Sequence, residues 1–167
     1  MSKAMNGIKS GLVAGIVYGV LDSVFAILAV IMFKDQVLAS LGQYITNYPS
    51  LFSNITAMDL YNLSIALIPM IAIIGGILLG LVFGAIFGYA YDRIPGRIPS
   101  LKGILFGLIL WVVLNVLIGL LDVTEFGWYY YLAGIAGGLV ATVAYGYILG
   151  TLYGYLVGGR KPRLQPQ

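Results

Sequence analysis

The sequence predicts an all-α membrane protein: a four-transmembrane-helix bundle with an amphipathic outer loop, forming a single integral domain over 1–167. Three observations carry this reading. Of 167 residues, 60% are hydrophobic and 9% are charged, whereas a soluble globular chain carries roughly 25% charged residues. The charges are excluded from long runs. Residues 60–91, 103–121 and 126–159 contain no Asp, Glu, Lys or Arg, and 11–33 contains only Asp22. Each run exceeds the roughly 18 apolar residues that mark a membrane span.

The first helix, at about 8–33, is too long for a signal-peptide core and lacks a small-x-small cleavage site, so it reads as retained. The outer loop, about 34–56, places Val37, Leu38, Leu41, Tyr44, Ile45 and Tyr48 at helical spacing before Pro49. That is a short amphipathic helix: a lid or docking surface, or a connector hiding its apolar face among lipid headgroups. Asn54 and Asn62 match the glycosylation acceptor pattern, and Asn62 lies too close to the membrane to be reached. The second helix, about 57–91, opens with Thr56 and Asp59 spaced as a capping box. Pro69 inside it predicts a kink. A cytoplasmic loop, about 92–100, leads to a third helix at about 101–121 with Ser100 as N-cap. The fourth, about 129–158, begins at the interfacial aromatics Trp128, Tyr129, Tyr130 and Tyr131.

Basic residues set the orientation. Lys3, Lys9, Arg93, Arg97, Lys102, Arg160, Lys161 and Arg163 fall on one side and Lys34 alone on the other. The positive-inside rule then places both termini in the cytoplasm of a multi-pass protein of the cell membrane. Asp35, Asp59, Asp122 and Glu125 fall outside. The net charge of +3 is a topological signal. It carries no aromatic–basic interleaving of the nucleic-acid-binding kind, so the expected surroundings are a lipid bilayer and no nucleic acid.

The chain has no cysteine and no histidine. Disulfides, thiolate nucleophiles, iron–sulfur clusters and histidine-bound metals are excluded, and the commonest general base is missing. No nucleophile–base pair, phosphate loop, metal-ligand cluster or dinucleotide turn occurs, so neither an enzyme nor a cofactor is expected.

Glycine spacing is the strongest pattern. Gly76, Gly80, Gly84 and Gly88 recur at every fourth position, as do Gly7, Gly11, Gly15 and Gly19 in the first helix. The fourth helix carries Gly134 and Gly138, then Gly146, Gly150, Gly154 and Gly158. Each glycine weakens a helix by about 1 kcal/mol relative to alanine. In lipid that cost is offset when small residues let backbones approach closely. Three such seams either pack the helices of one chain together or leave a seam for another subunit.

The halves of the chain also resemble each other. The interval from Lys9 to Asp22 equals that from Lys102 to Asn115, and FGAIFGY (Phe83 to Tyr89) resembles LGTLYGY (Leu149 to Tyr155). This is either a parallel repeat of two hairpins or the match that two glycine-rich apolar helices make by composition.

Asp22 is the one carboxylate near the bilayer midplane, where charge costs at least about 2.5–3.5 kcal/mol. Asn115, Ser23, Tyr18, Tyr145 and Tyr147 are its candidate partners. Asp22 and Asn115 are either a proton or cation site or a neutral hydrogen bond fixing helix register. A carboxylate in a glycine-rich hairpin is similar to the proteolipid rotor subunits of rotary ATPases. Those carry it in the second helix of a hairpin with a short polar loop; Asp22 is in the first, and a long loop follows. The segment Gly88 to Arg97, GYAYDRIPGR, resembles the loop between helices two and three of major facilitator transporters, with one residue more before the Gly-Arg pair. That resemblance implies a cytoplasmic latch in which Asp92 pairs with a nearby arginine, Arg93 or Arg97.

Two functions fit. The first is a non-catalytic membrane subunit or homo-oligomer held by its glycine seams, within a larger complex or against copies of itself. The second is a small channel or proton- or cation-coupled transporter using Asp22 and Asn115. Many packing features and few polar groups at depth favour the first.

Overall fold

The computed structural model describes residues 2–158, so Arg160, Lys161 and Arg163 lie outside the described residues. The described chain is all helical. Helix α1 spans Lys3–Met32, α2 Lys34–Asn47, α3 Ala57–Ala90, α4 Pro99–Trp111 and α5 Leu121–Gly158. A π-helical segment, Val112–Ile118, continues α4. Four rods are long and apolar enough to cross a membrane: Lys3–Met32, Ala57–Ala90, Pro99–Ile118 and Val123–Gly158.

The ends follow local chemistry. Ser2 caps α1 by accepting from the Met5 N–H. Thr56 and Asp59 form the reciprocal capping box of α3. The start of α4 differs from expectation: the helix begins two residues earlier, with Pro99 in its first turn and Ile98 preceding it, and Ser100 does not cap. Proline suits that position because its missing N–H has no partner to lose there. Helix α3 runs unbroken through Pro69. Helix α5 starts before the expected 129 and changes direction at Gly127, whose φ of 84° suits glycine.

The bundle is two glycine-lined hairpins. The broadest interfaces join α1 to α3, α4 to α5, and α1 to α5; α3 and α4 share no comparable interface. In the first hairpin the backbones touch. A Cβ on Gly11 would overlap the Gly80 carbonyl and sit 2.7 Å from Gly84 Cα, and Gly7 and Gly15 meet Gly84 and Gly76 in the same way. Gly19 meets Ala72 and Ile73, and Gly88 meets Lys3. In the second hairpin Gly103 takes the place of Gly11: a Cβ there would overlap the Gly146 carbonyl and lie 2.8 Å from Gly150 Cα. Gly107 faces Thr142 and Gly146, while Gly150 and Gly154 lie against Pro99. The offset that carries Gly11 onto Gly103 carries Gly15 onto Gly107. The offset that carries Gly80 onto Gly146 carries Gly84 onto Gly150. The two hairpins thus share one contact pattern.

Two seam residues read from the spacing take no part. Among the described residues, a Cβ on Gly134 or Gly158 would meet nothing within 4 Å. Gly138 lies against the Asn115 side chain, not against a backbone.

Large apolar side chains point outward: Leu28, Ile71, Leu78 and Ile109 are exposed. Burial falls on small residues and on a compact cluster of Phe87, Phe106, Tyr145, Leu149 and Tyr153 around Ala14. Such a distribution suits a lipid solvent, where apolar surface has no reason to hide. Helix α2 turns Val37, with Leu38 and Leu41, onto Val30, Tyr61 and Phe126. It therefore caps its own bundle instead of burying that face in headgroups. Ser40 donates to the Glu125 carbonyl and Tyr44 donates to the Glu125 carboxylate at 2.9 Å, tying α2 to α5.

Backbone contact makes a direct prediction. Gly11→Ala should destabilise the bundle by about 1–3 kcal/mol, the usual cost of overpacking, in reversible unfolding from mixed micelles. Gly75→Ala, where a Cβ meets nothing within 4 Å, should be neutral or mildly stabilising. Equal effects at both positions would remove the contact argument.

Candidate functional site

Because α1–α3 and α4–α5 are tight pairs joined mainly along α1 and α5, space remains beside that junction. Two cavities occupy it. The outer one, about 160 Å³, is lined by Asp22, Phe25, Ala26 and Ala29 of α1, Leu114, Asn115 and Gly119, and Tyr130, Tyr131, Gly134, Ile135 and Gly138 of α5. Asp22 and Asn115 therefore share one space. Gly134 borders it, so its missing side chain enlarges a cavity and serves no seam.

Asn115 reaches this position through the π-helical segment. Asp22 and Asn115 are one residue further apart than the offset relating Gly11 to Gly103. A π turn closes i→i+5 and so holds one residue more than an α turn. It thereby brings Asn115, not Leu114, to the place matching Asp22. The segment leaves carbonyls that lipid cannot satisfy. Tyr131 donates to the Val116 carbonyl at 2.8 Å and supplies one partner. Trp111 ties the same stretch to α5 by donating to the Ile135 carbonyl at 3.1 Å.

The other candidate partners of Asp22 divide. Ser23 turns away and donates to the Val20 carbonyl at 2.8 Å. Tyr147 is exposed on the lipid side. Tyr18 packs edge-on against Tyr145, with ring centroids 6.1 Å apart, and is in hydrogen-bonding reach of Asn115. No salt bridge to Asp22 is present among the described residues.

A second cavity adjoins the first at Leu114 and Asn115, which line both. It lies between α3 and α4 over Tyr18, Phe83, Thr142 and Tyr145, is almost wholly apolar, and at about 20 Å³ has room for a single water. The Tyr145 hydroxyl at its edge is buried and has no hydrogen-bond partner among the described residues. Beyond it an aromatic plug closes the end that carries the N-terminus and the 91–98 loop. Phe87 contacts Phe106 and Tyr153 at 5.3 and 5.4 Å, and Tyr91 stacks on Tyr153 at 4.5 Å. Tyr153 donates to the Gly88 carbonyl. Lys102 sits over the Tyr91 ring at 4.4 Å and donates to its carbonyl.

The latch differs from the one expected. Asp92 pairs with Lys3 of α1, not with Arg93 or Arg97. Arg93 instead covers the Tyr89 ring at 5.3 Å. The cause is topological: α1 begins where α3 ends, so Lys3 lies beside Asp92. The Lys3 ammonium, by hydrogen bond and by charge, holds the Asp92 carboxyl below the usual carboxylate range. No family model, no curated protein and no solved structure matches the chain.

Two predictions follow from this geometry. Since the Asp92 carboxyl is held low, the latch is at full strength above the ordinary carboxylate pKa of about 3.9 and is lost as pH falls through the lowered value. Hydrogen exchange of 91–98 should rise only under those acidic conditions in the native chain, and already at neutral pH in Lys3→Met. At the site, Gly138→Ala would push the Asn115 amide aside, since Asn115 Oδ1 occupies the space of that Cβ. The variant should fold normally, by circular dichroism and gel filtration, yet shift the Asn115 side-chain amide resonances.

Proposed function

We propose that the protein is a small membrane permeation protein of the carrier type, in which Asp22 and Asn115 form a proton- or cation-binding site. The observation that carries this is the shared cavity. The one carboxylate and the facing amide of the apolar runs, Asp22 and Asn115, line one space between the hairpins. A membrane carboxylate facing a cavity, with no cationic partner, is by default a functional group. The closed opposite end supports an alternating arrangement: a cavity on the α2 side, a narrow apolar neck at Leu114 and Asn115, then the aromatic plug.

Orientation follows from charge. Lys3, Lys9, Arg93, Arg97 and Lys102 belong to the plugged end, so the positive-inside rule places that end and both termini in the cytoplasm of a cell membrane. The Asp22 cavity then opens outward. The subunit reading has less support than the sequence alone lent it. It needs a glycine row free for another chain, and Gly7 to Gly19, Gly76 to Gly88 and Gly146 to Gly154 are used within this one.

The test is flux. Purified protein in liposomes should dissipate a proton or monovalent-cation gradient, and Asp22→Asn should reduce the rate at least about tenfold, equivalent to 1.4 kcal/mol. Native mass spectrometry of the same sample should show no obligatory second polypeptide. Absence of flux from well-folded protein, together with recovery bound to a different chain, would restore the subunit reading.

A further inference from the structure

We infer that the Asp22 cavity takes a small organic monocation of the quaternary-ammonium or alkylguanidinium kind, in preference to a metal ion. This rests on the permeation reading above and names its substrate class.

The lining decides the class. A hard metal cation seeks about six to eight oxygen ligands. The polar side chains lining the cavity are one carboxylate, one amide and two tyrosines, and among the described residues no three acidic, thiol or imidazole side chains gather anywhere. Its other surfaces are apolar or aromatic: Phe25, Tyr130 and Tyr131. The Tyr130 ring is backed by Phe126 and Phe33, at 4.8 and 6.0 Å between centroids. The Tyr131 hydroxyl is committed to Val116, and its ring is fixed edge-on against Trp128, with centroids 5.8 Å apart. Aromatic faces beside one carboxylate attract a weakly hydrated cation, which gives up little water on entering. They give poor compensation to a strongly hydrated one. One carboxylate balances one positive charge.

Size agrees. A cavity of about 150 Å³ accommodates benzene, and this one is about 160 Å³. The adjoining neck, about 20 Å³, stops anything larger than water at Leu114 and Asn115. The ligand is therefore held beside Asp22 until the hairpins move apart.

The experiment measures binding and flux separately. Full-length protein in nanodiscs is titrated with tetramethylammonium and with methylguanidinium by calorimetry, and with sodium and potassium as competitors. One organic cation should bind per chain, and neither metal should displace it at equal concentration. Gly134→Leu grows into the cavity from a position where a Cβ meets nothing, and should weaken binding at least tenfold with the fold intact. Phe25→Leu removes a ring and should weaken it several-fold. No binding of either organic cation, or binding insensitive to both variants, overturns the inference. Asp22-dependent flux of protons, sodium or potassium that tetramethylammonium does not inhibit also overturns it, while leaving the permeation reading in place. Site-specific binding of tetramethylammonium without flux of any cation supports this site and overturns the permeation reading.

Discussion

The structure depends on how closely two helix backbones can approach in lipid. No hydrophobic effect drives helices together there, so association relies on dispersion, weak Cα–H···O contacts and polar contacts at short range. Gly11 against Gly80 and Gly103 against Gly146 set that range by leaving no room for a Cβ. Tight pairing within each hairpin has a geometric consequence. The hairpins meet along α1 and α5, while α3 and α4 share no broad interface and touch through Phe87 and Phe106. Asp22 and Asn115 border the space left over. The cavity is thus a by-product of the glycine seams.

The polar chemistry is sparing and each part of it has a local reason. Asp22 sits on the wall of a cavity, a setting that tolerates a carboxylate at depth better than hydrocarbon does. Asn115 arrives there because one extra residue is wound into the helix between Val112 and Ile118. The resulting carbonyls are met in part by Tyr131. At the plugged end the contacts are aromatic and cation–π, with one exposed ion pair, Lys3–Asp92, whose strength falls with salt.

Much of the fold was legible because lipid imposes simple patterns. Charge-free runs located the four spanning helices, and Thr56 with Asp59 located the start of α3. The glycine period located the first seam. It also located the α5 side of the second, at Gly146, Gly150 and Gly154, and missed only their partners Gly103 and Gly107, since two glycines in a short helix make no period. The same period included Gly134 and Gly158, because spacing defines a helix face without saying what opposes it. The pairing of Asp92 was misread for a related reason: Arg93 and Arg97 are near in sequence, while Lys3 is brought near by topology. Asp22 and Asn115 were recognisable as polar groups at depth, but the π turn that aligns them has no residue signature. The apolar face of α2 was visible, and the surface it covers was not.

The claim on which the account turns is that Asp22 borders a water-accessible cavity on the α2 side of a bundle closed at its other end. The native chain has no cysteine, so single cysteines report cleanly. The measurement is labelling of Gly134→Cys in sealed, oriented proteoliposomes by a membrane-impermeant thiol reagent applied to either side. The account predicts rapid labelling from the α2 side, none from the opposite side, and slower labelling when a cation occupies the site. Equal labelling from both sides, or no labelling at a cysteine reached only by lipid-soluble reagents, would contradict it.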